Sequence, residues 1–157
     1  MINHDAPILP GKGAAGLILG EQIETLLAKY PDVFGAEEIV NPYVAVNVTR
    51  YRSPSVSLWE ENGHVFQVMV HGDYRGKLDC QIGLGSTIAD IQSFCGQCAE
   101  DDEDNLTIEG ISGLCFGVTG SFPNRENPFD PTNPMFLKAT IDWICVYEES
   151  REDLGGG

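Results

Sequence analysis

The chain has 157 residues, 42% hydrophobic and 9% aromatic, enough apolar content for one packed domain and too much for a disordered chain. Asp plus Glu number 24 against 9 Lys plus Arg, a formal net charge of -15. Such a surface repels phosphate backbones and anionic lipid, so neither nucleic acid nor a membrane is an expected partner.

In chain order, the opening residues contain Asp5, Pro7 and Pro10 and lack the cationic start and apolar run of a secretory leader. No stretch approaches the roughly 20 apolar residues of a membrane helix, and the chain as given reads as cytoplasmic. Gly11-Lys-Gly-Ala-Ala-Gly16 matches a dinucleotide-binding fingerprint. That motif needs an entering strand, which Pro7 and Pro10 spoil, and a helix where Leu17 to Leu19 instead reads as a strand. A glycine lead-in is the better reading. Ile23, Leu26, Leu27 and Tyr30 then fall at i, i+3, i+4 and i+7 and predict a helix stopped by Pro31. The period next changes to two. Val44, Val46 and Val48 mark a strand over 43–51, Val56 and Leu58 one over 55–60, and Val65 to Val70 one over 64–71. Asn62-Gly63 suits a type I′ hairpin between the last two.

The second half repeats this order. Ile82-Gly-Leu-Gly85 precedes a short helical pattern carried by Ile88, Ile91 and Cys95, with Thr87 and Asp90 at capping-box spacing. Strand-like runs follow at 106–109, 113–118 and 136–147. A shift of 65 residues sets Leu19 on Leu84, Gly20 on Gly85 and Ile23 on Ile88, which suggests a duplication. The expected organisation is one compact domain over 1–154, built from repeats at about 13–77 and 79–149, with 155–157 as a flexible tail.

The cysteines are Cys80, Cys95, Cys98, Cys115 and Cys145. An odd count in a chain long enough to fold without staples predicts reduced, buried thiols. Cys95-Gly-Gln-Cys98 has redox spacing, but it ends a predicted helix, whereas a reactive pair begins one. Cys80 and Cys115 occur singly and supply no second zinc knuckle. Asp101, Glu103 and Asn105 imitate the start of a calcium loop, but Leu106 replaces the required glycine. No metal and no cofactor is therefore expected. His64, His71, Asp73 and Tyr74 could form an acid–base cluster, yet residues seven apart on a strand project to opposite faces. No catalytic residues are assigned.

Two features point to a partner. Glu100, Asp101, Asp102, Glu103 and Asp104 form the densest charge run, either a solvated loop or a patch aimed at a cationic partner. The stretch 121–134 is rich in proline and asparagine, and so long a loop in a compact domain is functional or disordered. It carries Phe122, Arg125 and Phe129, whose aromatic rings either tuck into the core or touch the partner.

The segments PGKGAAGLILGEQIETLLAKY (10–30) and CQIGLGSTIADIQSFCG (80–96), each followed by strands, resemble the tandem arrangement of β-lactamase inhibitor protein and its relatives, including outer-membrane assembly lipoproteins. The pattern is also similar to small acidic immunity proteins encoded beside polymorphic toxins. No site of these families maps residue by residue onto this chain. The expected fold is α+β: two similar halves, each a short helix followed by about three antiparallel strands, with the helices packed on the sheet. The expected function is non-catalytic inhibition of a basic protein such as a bacterial toxin. The alternative is a small-molecule-binding domain or enzyme with a pocket between sheet and helices, near His71, Asp73 and Cys80. Oligomeric state is not legible.

Overall fold

The structure, a computed structural model, describes residues 2–40, 47–101, 103–119 and 129–149. Ala15 and Gly16, with φ of 57° and 76°, turn the glycine lead-in into a small hairpin of β1 (Gly13–Ala14) and β2 (Leu17–Ile18). The predicted helices are α1 (Ile23–Lys29) and α2 (Ile88–Phe94). Four strands follow α1: β3 (Gly35–Val40), β4 (Asn47–Arg52), β5 (Val56–Glu61) and β6 (His64–His71). Four more follow α2: β7 (Cys98–Glu100), β8 (Leu106–Ile108), β9 (Ile111–Val118) and β10 (Ile141–Tyr147). A third helix, α3 (Pro134–Lys138), precedes β10. The eight strands form one antiparallel sheet in the order β3-β4-β5-β6-β10-β9-β8-β7.

This corrects the expected fold of two helix-plus-three-strand halves. The described residues are mostly sheet, one two-stranded and one eight-stranded, with three small helices. The outer strands account for the miscount. Gly35-Ala-Glu-Glu opens β3 without apolar alternation, and β7 is three residues that run into the acidic stretch. At the other end, the run expected as one strand over 136–147 divides. Asn133 caps α3 by accepting the Met135 N–H (3.0 Å), and Pro134 takes the first helical turn, where its missing N–H costs nothing. Residues 43–46 of the strand expected over 43–51, and the tail at 155–157, lie outside the described residues.

The two lead-ins meet the sheet through the same bonds. Gly20 N–H donates to the Val65 carbonyl (2.7 Å), Val65 N–H to Glu21 (3.0 Å), and Ile23 N–H to Gly63 (2.8 Å). In the second half Gly85 N–H donates to Ile141 (3.0 Å), Ile141 N–H to Ser86 (2.9 Å), and Ile88 N–H to Ala139 (3.1 Å). Gly20 and Gly85 hold φ of 87° and 86°, a backbone that a side chain would strain. Asn62 and Gly63 both take positive φ, as the expected hairpin turn requires.

Alternation gives the sheet two faces. Across one run the in-register rows Tyr51–Leu58–Val68–Val146–Leu114 and Val56–Val70–Ile144–Phe116–Leu106. These belong to the main core with Ile23, Leu26, Ile88 and Ile91 of the helices. A buried Ile or Leu contributes about 1.5–3 kcal/mol, so these small helices are held by packing more than by length. The opposite face carries the row Arg52–Ser57–Met69–Cys145–Cys115. Cys115, Cys145 and Tyr147 form a second, smaller apolar cluster there, with Met69 and Trp143 against it. The indole of Trp143 lies across Gly117, where a Cβ would sit 2.2 Å from its Nε1.

The thiols also differ from expectation. Cys80 and Cys95 form a disulfide, with Cα atoms 5.6 Å apart, that ties the end of α2 to the loop before it. Cys98, Cys115 and Cys145 are free and buried. Burial pushes the Cys98 thiol up to about 12 and Cys145 well above its usual value, so both stay protonated.

Candidate functional site: the acidic end of the sheet

Strand register decides which loops are neighbours. The row through Val56, Val70, Ile144, Phe116 and Leu106 lies near the starts of β5, β8 and β10 and the ends of β6 and β9, and Glu100 at the end of β7 pairs with Leu106. The 101–105 turn, the loop after His71 and the 119–140 connection therefore all leave the sheet at one end. The described residues of the acidic run, and residues 129–134 of the proline-rich stretch, share that end.

The turn between β7 and β8 is built by its own acids. Asp101 N–H donates to the Asn105 carbonyl (2.9 Å), and Asp101 Oδ1 accepts the N–H groups of Glu103 and Asn105 (2.9 Å each). Asp104 takes φ of 62°, tolerable for a short polar residue. Asp101 is thus a folding residue of the turn. Glu103 and Asp104 are exposed. Glu100 is half-buried, and its Oε2 accepts the Phe129 N–H (3.3 Å), which stitches the acidic turn to the connection before α3.

Phe129 packs on the main core and meets Phe136 edge-on, with ring centroids 5.5 Å apart and an interplanar angle of 74°. Its ring anchors the loop. Next to it, Asp130 accepts the N–H (2.9 Å) and hydroxyl (2.7 Å) of Thr132, bonds that hold its carboxyl below the usual range. Asp102, Phe122 and Arg125 lie outside the described residues. Sequence reasoning weighed Asp73 only for an acid–base cluster or a pocket and missed Asp130 and Asp142; all three are exposed acids near the same end. They stand singly between apolar residues, and only strand order brings them together.

No group of three or more His, Cys, Asp or Glu that could hold a metal occurs among the described residues. Neither His71 nor Cys80 lines the groove that Asp73 borders. His71 Nε2 pairs with Ser57 Oγ (3.0 Å), burial and then the nearby Arg52 lower its basicity, and Cys80 is spent in the disulfide. The groove beside Asp73, about 480 Å³, is lined by Gly72, Tyr74, Leu84 and Thr140 among others and is shallow. A groove of about 640 Å³ runs instead between the N-terminal segment and residues 75–79.

No family model matches the chain, and no curated protein matches it. The fold resembles that of the uncharacterized protein YfeY from Escherichia coli, with a TM-score of 0.63, 14% identity, and coverage of 89% of this chain and 99% of that one. A cysteine-rich secretory protein from Staphylococcus aureus aligns with a TM-score of 0.45 and 11% identity over 98% of this chain and 52% of that one. The first likeness concerns the fold alone, and neither bears on the inhibitor or immunity resemblance. No helix among the described residues is long and apolar enough to cross a membrane.

Proposed function

We propose that the chain is a non-catalytic protein-binding module that occludes a basic protein partner, such as a cognate bacterial toxin, with the acidic end of its sheet. The observation that carries this reading is the Glu100–Phe129 hydrogen bond, which holds the acidic turn against the long connection in a chain of net charge -15. A rigid acidic surface speeds association with a cationic one and selects against acidic partners. The tandem lead-ins, with their matching bonds to β6 and β10, support a duplicated unit of about 13–77 and 79–149. For the compartment, the Cys80–Cys95 disulfide favours an oxidising one over the cytoplasm, because reducing thiols open such bonds inside cells.

The test is co-expression with the product of the adjacent reading frame, scored for a stoichiometric complex and for growth rescue. Asp101 is left intact because it builds the turn. Glu103→Lys with Asp104→Asn is expected to slow association at least tenfold at low salt, with the difference shrinking as salt screens the charges. An expressed partner that neither binds nor is neutralised would move the assignment to a small-molecule site.

A further inference from the structure

The second sheet face holds three sulfur atoms in one row. Met69 of β6 pairs in register with Cys145 of β10, which pairs with Cys115 of β9. Residues directly opposite in an antiparallel ladder stand about 4.5–5.5 Å apart at Cα, and all three side chains project from the same face. The structure brings them into a single cluster separate from the main core. Cys115 and Cys145 are 3% and 1% exposed, and Met69 lies half-buried beside them.

The surroundings are those of a prepared site. The side chain of Gln67, 4% exposed, hydrogen-bonds Cys145, while its Oε1 is buried without a hydrogen-bond partner. Leaving a buried carbonyl oxygen unmade costs about 1–3 kcal/mol. The amide keeps its contact with the sulfur despite that cost. His71, in register with Trp143 on this face, has its Nε2 on Ser57 Oγ (3.0 Å), and no group of three or more His, Cys, Asp or Glu that could hold a metal occurs among the described residues, which leaves hard cations without a ligand set. Zinc would ask for a fourth nitrogen or sulfur. Two thiols and a thioether are the soft donor set that selects a monovalent soft ion.

We propose that Cys115, Cys145 and Met69 form a binding site for one soft monovalent metal ion, Cu(I) in the first instance, on the sheet face opposite the helices. Binding replaces the two thiol protons by the metal. Both protons leave to solvent, the thioether adds without exchange, and no electron is transferred. The half-buried Met69 and Trp143 mark the way in, since the ion must pass between side chains that already reach solvent.

The experiment uses the full chain under anaerobic conditions with no added thiol, so that the Cys80–Cys95 bond stays closed. Cu(I) is presented as its bicinchoninate complex. One ion per chain should be taken from the chelator, equally by the wild type and by Cys98→Ala, and not by Cys145→Ser or Cys115→Ser. Met69→Leu, a volume-conserving change, should weaken retention at least tenfold. If the serine variants fail to fold, alkylation of the wild type replaces them, and Cu(I) should protect two of its three free thiols. A thiol count of one in the metal-free protein would mean that the pair is already a disulfide and would overturn the site. Uptake that is absent, that survives Cys145→Ser, or that ignores Met69→Leu would overturn it as well.

Discussion

At the scale of single residues, Tyr74 joins distant chain segments. It is 3% exposed, its hydroxyl donates to the Ala6 carbonyl and accepts the Ala15 N–H (2.9 Å), and it thereby ties the N-terminal loop to the segment after β6. Gly76 beside it has no room for a side chain, since a Cβ would stand 1.9 Å from the Ala6 oxygen. Tyr74→Phe keeps the ring and orphans two buried backbone groups, so urea unfolding should show a loss of about 2 kcal/mol. The alkaline limb carries a second signature. Burial raises Tyr74 above the usual phenol range, and burial followed by Glu60 raises Tyr51. The folded chain therefore holds these protons more tightly than the unfolded one. The stability this supplies is complete below about pH 10 and is lost as pH rises through the folded-state values. Tyr74→Phe should make the decline measured above pH 10 shallower and leave the parts due to Tyr51 and to the buried Cys98 and Cys145 thiols.

At the scale of elements, the two matched helices differ in how they begin. Thr87 accepts the Asp90 N–H (3.1 Å) and Asp90 accepts the Thr87 N–H (3.0 Å), a complete capping box, whereas Gln22 sits in the same extended cap conformation with no side-chain bond. Thr87→Ala should cost about 1 kcal/mol and Gln22→Ser should gain up to about as much, both read by chemical denaturation. The cap of α2 was legible because its spacing is a local signal, as was the turn at Asn62-Gly63. β6 was legible from Val65, Phe66, Val68 and Val70, and β10 only within a longer apolar run, because both strands are buried on their two faces and show little alternation. β3 and β7 were not legible, because an outer strand needs only one neighbour and has little apolar pattern to show. Of the acidic end, the charged residues were visible. The bond from Glu100 to Phe129 was not, since it spans 29 residues and joins a carboxylate to a main-chain N–H that no side-chain pattern announces.

At the scale of the whole molecule, the disulfide and the surface charge set the conditions in which the fold works. Cys80 and Cys95 are 15 residues apart, and an odd cysteine count says nothing about which two of five meet. Closing a loop of that length is worth about 3 kcal/mol. Replacing both by alanine should lower the midpoint of thermal unfolding by roughly 6–12 °C for a chain of this size. Peptide mapping of protein exported to an oxidising compartment should recover the 80–95 link, and a map with both thiols alkylated would remove the argument for that compartment.

The order of strands has a consequence for how the chain is made. β10 is the last strand among the described residues, yet it stands between β6 and β9 at the middle of the sheet. On the ribosome the first four strands of the large sheet, β3 to β6, emerge with β6 as a border and wait through some seventy further residues for the strand that covers it. During that wait the first lead-in covers Val65, but the backbone groups of residues 67–71 of β6, which β10 later pairs, are open to pairing with another nascent copy. A stop codon or a proteolytic cut within 141–147 would not trim this protein at its margin. It would take out the keystone and leave two short sheets with adhesive borders.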